Sequence, residues 1–280
     1  TLALDGANGL GQVVAYRAMS RCIELAEKSG LAVTTVRNSN HFGIAGYYAM
    51  MALPEDMIGI SLTNSRPLVA PTFGLRPAIG TNPIAVAVPA GKERPYVLDM
   101  ATSIVPIGRV SVYEKSNRPI PRGWGINQEG ELTRNSKEVL DGGALLPLGG
   151  PEKLRGYKGY GLSLLVDLLS GVLSGAAFGA SVGSPSKQNR SDVGHFFAAI
   201  KIENFRSVEE FKQDMDDYIR ELKNTPKLPG QDRIYIHGEK EFERTEKYMA
   251  EGVPLMVEVV ESLKQAGLAA GIPFDLEPVE

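Results

Sequence analysis

From residue 57 the chain is cut into short apolar, β-rich runs separated by proline and glycine: Ile58 to Thr63, Ile84 to Val88 and Tyr96 to Leu98. Runs of this length bounded by turn residues read as strands, and their spacing favours an antiparallel meander over β–α–β alternation. The flanking sequence has a different texture. Thr1 to Asp5 reads as a strand end, and a loop carrying Gly6, Gly9 and Gly11 opens a helix with its stripe at Ala15, Met19, Cys22, Ile23 and Ala26. Gly30 suits a left-handed helix end, and Leu31 to Val36 reads as a buried strand. Phe42 to Leu53, apolar on nearly every face, predicts a buried helix whose first turn follows His41.

Further along, residues 113–155 are polar and turn-rich around the single tryptophan, Trp124, and read as a long surface excursion. Gly159 to Gly179 is helical in pattern and rich in small residues, and Phe196 to Ile202 returns as a strand. Ser207 and Glu210 form a capping box for a helix with Phe211, Met215, Tyr218, Ile219 and Leu222 on one face. Arg233 to His237 alternates as a strand should, and two helices follow, one from Lys240 and one around Pro254 to Ala266. The mixture is an α/β chain in the wide sense, with α+β segregation.

Thirty basic against thirty-three acidic side chains give a net charge of -3 with no long basic run, so nucleic acid is not an expected partner. One cysteine, Cys22, and three histidines offer neither an internal disulfide nor a zinc cage, which makes a reducing cytoplasm the default and leaves no metal site. The longest uncharged stretch, Leu168 to Ser186, is broken by glycines and serines and reads as a buried helix running into a loop, not a membrane span. Thr1 opens no signal segment, and the true N-terminus is expected to lie upstream.

Chemistry concentrates in a few loops. The glycine spacing at Gly6, Gly9 and Gly11 is GxxGxG rather than GxGxxG, and the next strand runs into Arg37, Asn38 and Ser39 where a ribose-binding acid would stand. A tight strand-to-helix turn is therefore preferred to a Rossmann fingerprint. His41 lies between a buried strand and a buried helix, flanked by Asn38, Ser39 and Asn40, polar groups able to fix its tautomer. An imidazole there can accept and donate a proton, which suits a reversible carbinol–carbonyl reaction. The loops Gly80 to Pro83 and Asp99 to Ser103 insert polar groups between apolar runs, and Lys158 puts a cation at a helix start, where an anionic ligand would explain it. His195 reads as structural and His237 as part of an exposed turn.

Six strings occur in order: Asp5-Gly6 with Gly9 to Gln12, Asn38 to Gly43, Gly80 to Pro83, Leu98 to Ser103, Tyr157 to Gly161, and Gly194 to Phe197. Together they resemble the type 2 malate/L-lactate dehydrogenase family, which includes sulfolactate and ureidoglycolate dehydrogenases. The resemblance implies a non-Rossmann nicotinamide-binding fold. Residues 61–204 would form a largely antiparallel cofactor-binding sheet domain. Residues 1–60 with 205–280 would form a second mixed domain, built from both chain ends, for substrate binding and dimerisation. It implies His41 as the acid/base on the substrate C2 oxygen, with Thr81 and Asn82 near the substrate. Ser65, Asp99, Met100, Ala101 and Lys158 would be cofactor contacts, with Gly238 and Glu239 a looser match.

The implied activity is hydride transfer between NAD or NADP and a small 2-hydroxy acid, malate before lactate, sulfolactate or ureidoglycolate, by a cytoplasmic homodimer. A cyclic 2-imino acid reductase and an inactive nucleotide-binding scaffold are the alternatives. The family's substrate-gripping arginine follows a Ser/His-Gly segment that stands before the point where this chain starts, and no residue here matches it. Arg37, Arg66 and Arg109 could stand in for it, and none is favoured.

Overall fold

Strand β9 (Val193–Lys201) lies in the middle of a six-stranded sheet, with both of its edges paired. It runs antiparallel to β2 (Leu31–Ser39) on one side and to β3 (Met57–Thr63) on the other. The computed structural model describes residues 1–183 and 190–277, so the last three residues of the Leu168 to Ser186 run lie outside it. Beyond β3 the sheet continues through β4 (Ile84–Val88) to β5 (Tyr96–Met100), and beyond β2 it ends at β1 (Leu2–Asp5). The order is β1-β2-β9-β3-β4-β5, and among the described residues β1 with β2 is the single parallel pair in this sheet. The expected antiparallel meander is present, in an α+β setting.

Helix α1 (Gly11–Ser29) covers β2 and β9 with Ala15, Met19, Cys22 and Ala26, all fully buried. Side chains of Met size buried this way contribute about 1.5–3 kcal/mol each. Gly30 ends the helix at φ 81°, and its N–H returns to the Ala26 carbonyl. Helix α2 (Ala45–Met50) lies over β3 and β4. It is far shorter than the Phe42 to Leu53 helix expected: Phe42 to Ile44 are not helical, Gly43 sits at φ 86°, and Ile44 is 72 % exposed. A left-handed residue cannot continue a right-handed helix, so uniform apolarity is a poor guide to where this helix starts.

Residues 113–155 are not a surface excursion. Helices α3 (Ile107–Lys115) and α4 (Ser136–Leu140) pack with a small antiparallel sheet of β6 (Gly125–Ile126), β7 (Leu132–Thr133) and β8 (Ala144–Leu145). A core of Val69, Ile79, Val110, Ile120, Val139 and Leu145 fills this lobe, with Trp124 edge-on to Tyr113 at 5.2 Å. These apolar residues are spaced too widely for a periodicity, which is why the stretch reads as polar.

Helix α5 (Tyr157–Asp167) continues directly into a π-helical turn, Leu168–Val172. Helix α6 (Val208–Asn224) follows Ser207, whose hydroxyl accepts the Glu210 N–H as an N-cap does, while the Glu210 carboxylate pairs with Arg206. Asp216 on α6 accepts N–H bonds from Gly91, Lys92 and Glu93 and so ties that helix to the β4–β5 loop. Burial pushes its carboxyl up, but the three N–H bonds and Arg220 outweigh this and hold it below the usual range.

The described chain divides into two compact units, Thr1–Ile234 and Tyr235–Glu280. The second contains α7 (Glu239–Glu251) and α8 (Val257–Ala269), while Arg233 to His237 forms no strand. Alternation alone gives a segment no partner edge to pair with.

Gly11 sets the approach of α1 to the loop that follows β2. A Cβ there would overlap the carbonyl oxygens of Asn40 and His41. Replacement Gly11→Ala should therefore destabilise the protein by about 1–3 kcal/mol, a cost typical of overpacking. Denaturant titration measures it, and an unchanged midpoint would contradict this packing.

Candidate functional site

At the end of β2 the register against β9 shifts between Val36 and Ser39, and Asn38 adopts φ 53°. This bulge turns the chain out of the sheet towards His41. Asn40 holds the turn to the glycine loop through Nδ2, which donates to the carbonyls of Asn8 (3.1 Å) and Gly9 (2.9 Å). Gly6, Gly9 and Gly11 thus serve close packing, as a tight strand-to-helix turn requires.

His41 is exposed, and its Nδ1 accepts the Gly43 N–H at 3.2 Å. The neutral ring therefore carries its proton on Nε2. Phe42, next in sequence, is buried, and its carbonyl accepts the Tyr48 hydroxyl.

His41 opens onto a cavity of about 520 Å³ whose wall includes Thr63, Asn64, Ser65, Arg66, Thr81, Pro106 and Ser191. One side of it is a hydrogen-bonded ledge. The Ser65 hydroxyl accepts the Thr81 N–H at 3.1 Å and lies 3.4 Å from the Thr81 hydroxyl. The Ser65 N–H donates to Asn82 Oδ1, and Asn82 Nδ2 donates to the Ser163 carbonyl on α5. Asn82 is fully buried at φ 37°, so of the two residues expected near substrate Thr81 faces the cavity and Asn82 supports it from behind. The Thr102 hydroxyl lies within bonding distance of both the Thr81 and Asn82 carbonyls, joining the end of β5 to the same ledge.

Asp99 and Met100 close β5 and Ala101 follows it. Asp99 is exposed, and its Oδ2 accepts the Gly46 N–H at the start of α2 at 2.7 Å. Lys158 is exposed in the first turn of α5, five residues before Ser163. Gly238, at φ 90°, precedes α7 in the second compact unit, and the buried Glu239 accepts the Ile236 N–H there. Ser65, Thr81, Asn82 and the end of β5 are joined by hydrogen bonds, while Gly238 and Glu239 belong to a separate body.

The three arginines separate clearly. Arg37 pairs with Asp5 at 3.2 Å, and Arg109 lies over the Tyr113 ring at 5.8 Å. Arg66, not favoured by sequence reasoning, lines the His41 cavity and makes no ion pair or hydrogen bond with any described residue. Among the described lining residues there is no carboxylate. The sequence signal that could have found it is its place in Asn64-Ser65-Arg66, directly after a strand that ends in polar residues.

Comparison with known proteins places the chain in a family. The sequence pattern of the malate/L-lactate dehydrogenase family matches residues 1–264. Malate dehydrogenase from Pyrococcus abyssi is 54 % identical over 270 residues, covering 96 % of this chain and 74 % of that protein. Malate/(S)-sulfolactate dehydrogenase from Methanothermus fervidus is 38 % identical over 263 residues, 94 % of this chain and 74 % of its own length. The crystal structure of malate dehydrogenase from Entamoeba histolytica superposes with a TM-score of 0.93 at 40 % identity, over 99 % of this chain and 79 % of that one. The chain belongs to the malate/L-lactate dehydrogenase family and is an oxidoreductase with a non-Rossmann, largely antiparallel core.

The second histidine near the site, His195 on β9, is fully buried, as its structural reading requires. Burial, reinforced by the nearby His41, lowers its pKa from 6.5 to about 3. Because the folded state resists a proton that the unfolded chain binds, the ring's contribution to stability is complete above pH 6.5 and is lost as pH falls towards 3. Equilibrium unfolding between pH 7.5 and 4.5 should show a loss approaching about 1.4 kcal/mol per pH unit from this ring. His195→Gln should make that dependence shallower, and an unchanged slope would contradict a buried neutral imidazole.

Proposed function

We propose that this protein reversibly oxidises a small 2-hydroxy acid, malate to oxaloacetate in the first place, with NAD or NADP as hydride carrier. The observation that carries the reading is one cavity lined by the His41 imidazole and by Arg66, which pairs with no described residue, with no carboxylate among its described lining residues. A wall of this kind favours an anion, and a guanidinium matches the fork of a carboxylate. Its volume suits a small acid beside one end of a larger ligand.

The donor set fits a nicotinamide cofactor. Hydroxyls of Ser65 and Thr81 stand together on the ledge, Asp99 offers an acceptor at the sheet edge, and Lys158 offers an exposed cation that suits a phosphate. Ser65, Asp99, Met100, Ala101 and Lys158 would hold the cofactor. When bound, the nicotinamide supplies or accepts the hydride.

The remaining chemistry belongs to the chain's own residues. In reduction, the charged His41 ring gives its Nε2 proton to the C2 oxygen as that oxygen gains negative charge; in oxidation the ring takes the proton back. Charging the ring puts a proton on Nδ1, which displaces the 3.2 Å Gly43 contact. Arg66 holds a substrate carboxylate, and Thr81 orients the acid on a ledge that Asn82 keeps rigid.

A homodimer is part of the same reading. Leu164, Leu165 and Leu168 on α5 and its π-helical extension, with Leu173 just after it, are 40–59 % exposed, an apolar surface that a second copy would cover. The single cysteine is a buried free thiol, which suits a reducing cytoplasm. Among the described residues no helix is long and apolar enough to cross a membrane.

A panel of 2-oxo acids assayed against NADH and NADPH tests the proposal. Oxaloacetate should turn over fastest; cofactor binding with no turnover of any 2-oxo acid would favour an inactive nucleotide-binding protein, and activity confined to cyclic imines would favour an imine reductase. His41→Ala should lower kcat by about 10²- to 10⁴-fold with cofactor affinity retained. Arg66→Gln should raise KM for oxaloacetate about 10- to 100-fold with kcat nearly unchanged, as loss of a charge-assisted carboxylate contact does.

A further inference from the structure

We propose that His195 is a positioning residue for His41: it fixes Ser39, two residues before the reactive imidazole, by a hydrogen bond, and Phe42, directly after it, by stacking. The inference deepens the dehydrogenase reading and rests on it for the role of His41.

The hydrogen-bond pattern assigns its tautomer. The Thr63 hydroxyl has the Gly194 carbonyl at 3.0 Å and the Asn64 carbonyl at 3.1 Å as acceptors for its one proton. Its oxygen is then left to accept from His195 Nδ1, 2.8 Å away. Nε2 consequently carries a lone pair and accepts from the Ser39 hydroxyl, also at 2.8 Å. Both ring nitrogens are satisfied inside a fully buried site, and the ring has one orientation.

That orientation reaches His41 from two sides. Ser39 stands two residues before it, at the point where the β2–β9 register shifts and the chain leaves the sheet. Phe42 stands directly after it, and its ring lies 4.6 Å from the imidazole of His195 at an interplanar angle of 9°. The Tyr48 hydroxyl fixes the carbonyl of the same phenylalanine. His41 is thus the exposed centre of a loop whose ends both close on one buried ring. A cation at His195 would repel a charged His41, and burial keeps His195 neutral while His41 exchanges its proton.

A residue that merely filled the core would be replaceable by an apolar ring of similar size. The test compares His195→Phe, which keeps the stacking area and loses both hydrogen bonds, with His195→Gln, whose amide can donate to Thr63 and accept from Ser39, and with Ser39→Ala. Steady-state reduction of oxaloacetate and nitrogen-15 spectra of the imidazole rings are read for each. With three histidines in the chain, each ring signal is assignable by single substitution.

His195→Phe and Ser39→Ala should lower kcat about 10- to 100-fold, the scale of an ångström-size misplacement, with cofactor affinity unchanged. His195→Gln should stay within about threefold of the parent, and the His41 signals should move in the first two variants only. Turnover in His195→Phe within about twofold of the parent, with unmoved His41 signals, would overturn the proposal. If the parent reduces no 2-oxo acid the dehydrogenase reading fails by itself, and the His41 signals still decide whether His195 positions that ring. Should His195→Phe not fold, Ser39→Ala decides the matter by the same two readouts.

Discussion

The site depends on how closely the first turn of α1 approaches the backbone of Asn40 and His41. Gly11 is the point of contact, and the space a side chain would need there is occupied by two carbonyl oxygens. Asn40 reinforces the contact by donating to the carbonyls of Asn8 and Gly9. The glycine loop resembles a phosphate-binding turn in composition but works as a clamp, holding a strand end while leaving the next imidazole in solvent. Glycine is required because the backbone itself is the neighbour.

A second constraint comes from the middle of the sheet. Strand β9 contributes Gly194 and His195, and a Cβ at Gly194 would overlap the Ser170 carbonyl of the π-helical turn. That turn therefore sits directly on the strand, close to the residues that shape the cavity. Asn64 joins the two: Nδ2 donates to Asp167 Oδ1 and to the Ala177 carbonyl, and Oδ1 accepts the Gly194 N–H. A side chain this fully bonded belongs to the frame of the cavity, whereas His41, Ser65, Arg66 and Thr81 on its wall keep capacity to spare.

Much of the fold is legible in the sequence because short, local rules govern it. The α1 stripe, the left-handed Gly30, the Ser207 cap and the β-rich runs after Met57 each report a conformation set within a few residues. What the sequence hides is set by distant partners. The α2 segment is too apolar to show that Gly43 and Ile44 break away before it, the 107–145 lobe draws its core from residues scattered between Val69 and Leu145, and Arg233 to His237 has alternation without a strand to pair with. At the site, His41 stands out from its polar flank alone. Arg66 does not, because an arginine is recognised as available only once its neighbours are known: Arg37 and Arg109 look equally suitable until Asp5 and Tyr113 engage them.

The central claim is that the His41 imidazole meets the C2 oxygen of a 2-oxo acid across the cavity it shares with Arg66. A crystal structure with reduced cofactor and an unreactive 2-oxo acid analogue measures this directly. The account predicts His41 Nε2 within about 3 Å of the analogue's C2 oxygen, the reach proton transfer needs, and a carboxylate on the Arg66 guanidinium. An analogue bound in another cavity, or one whose reactive oxygen faces a different acid, would contradict it.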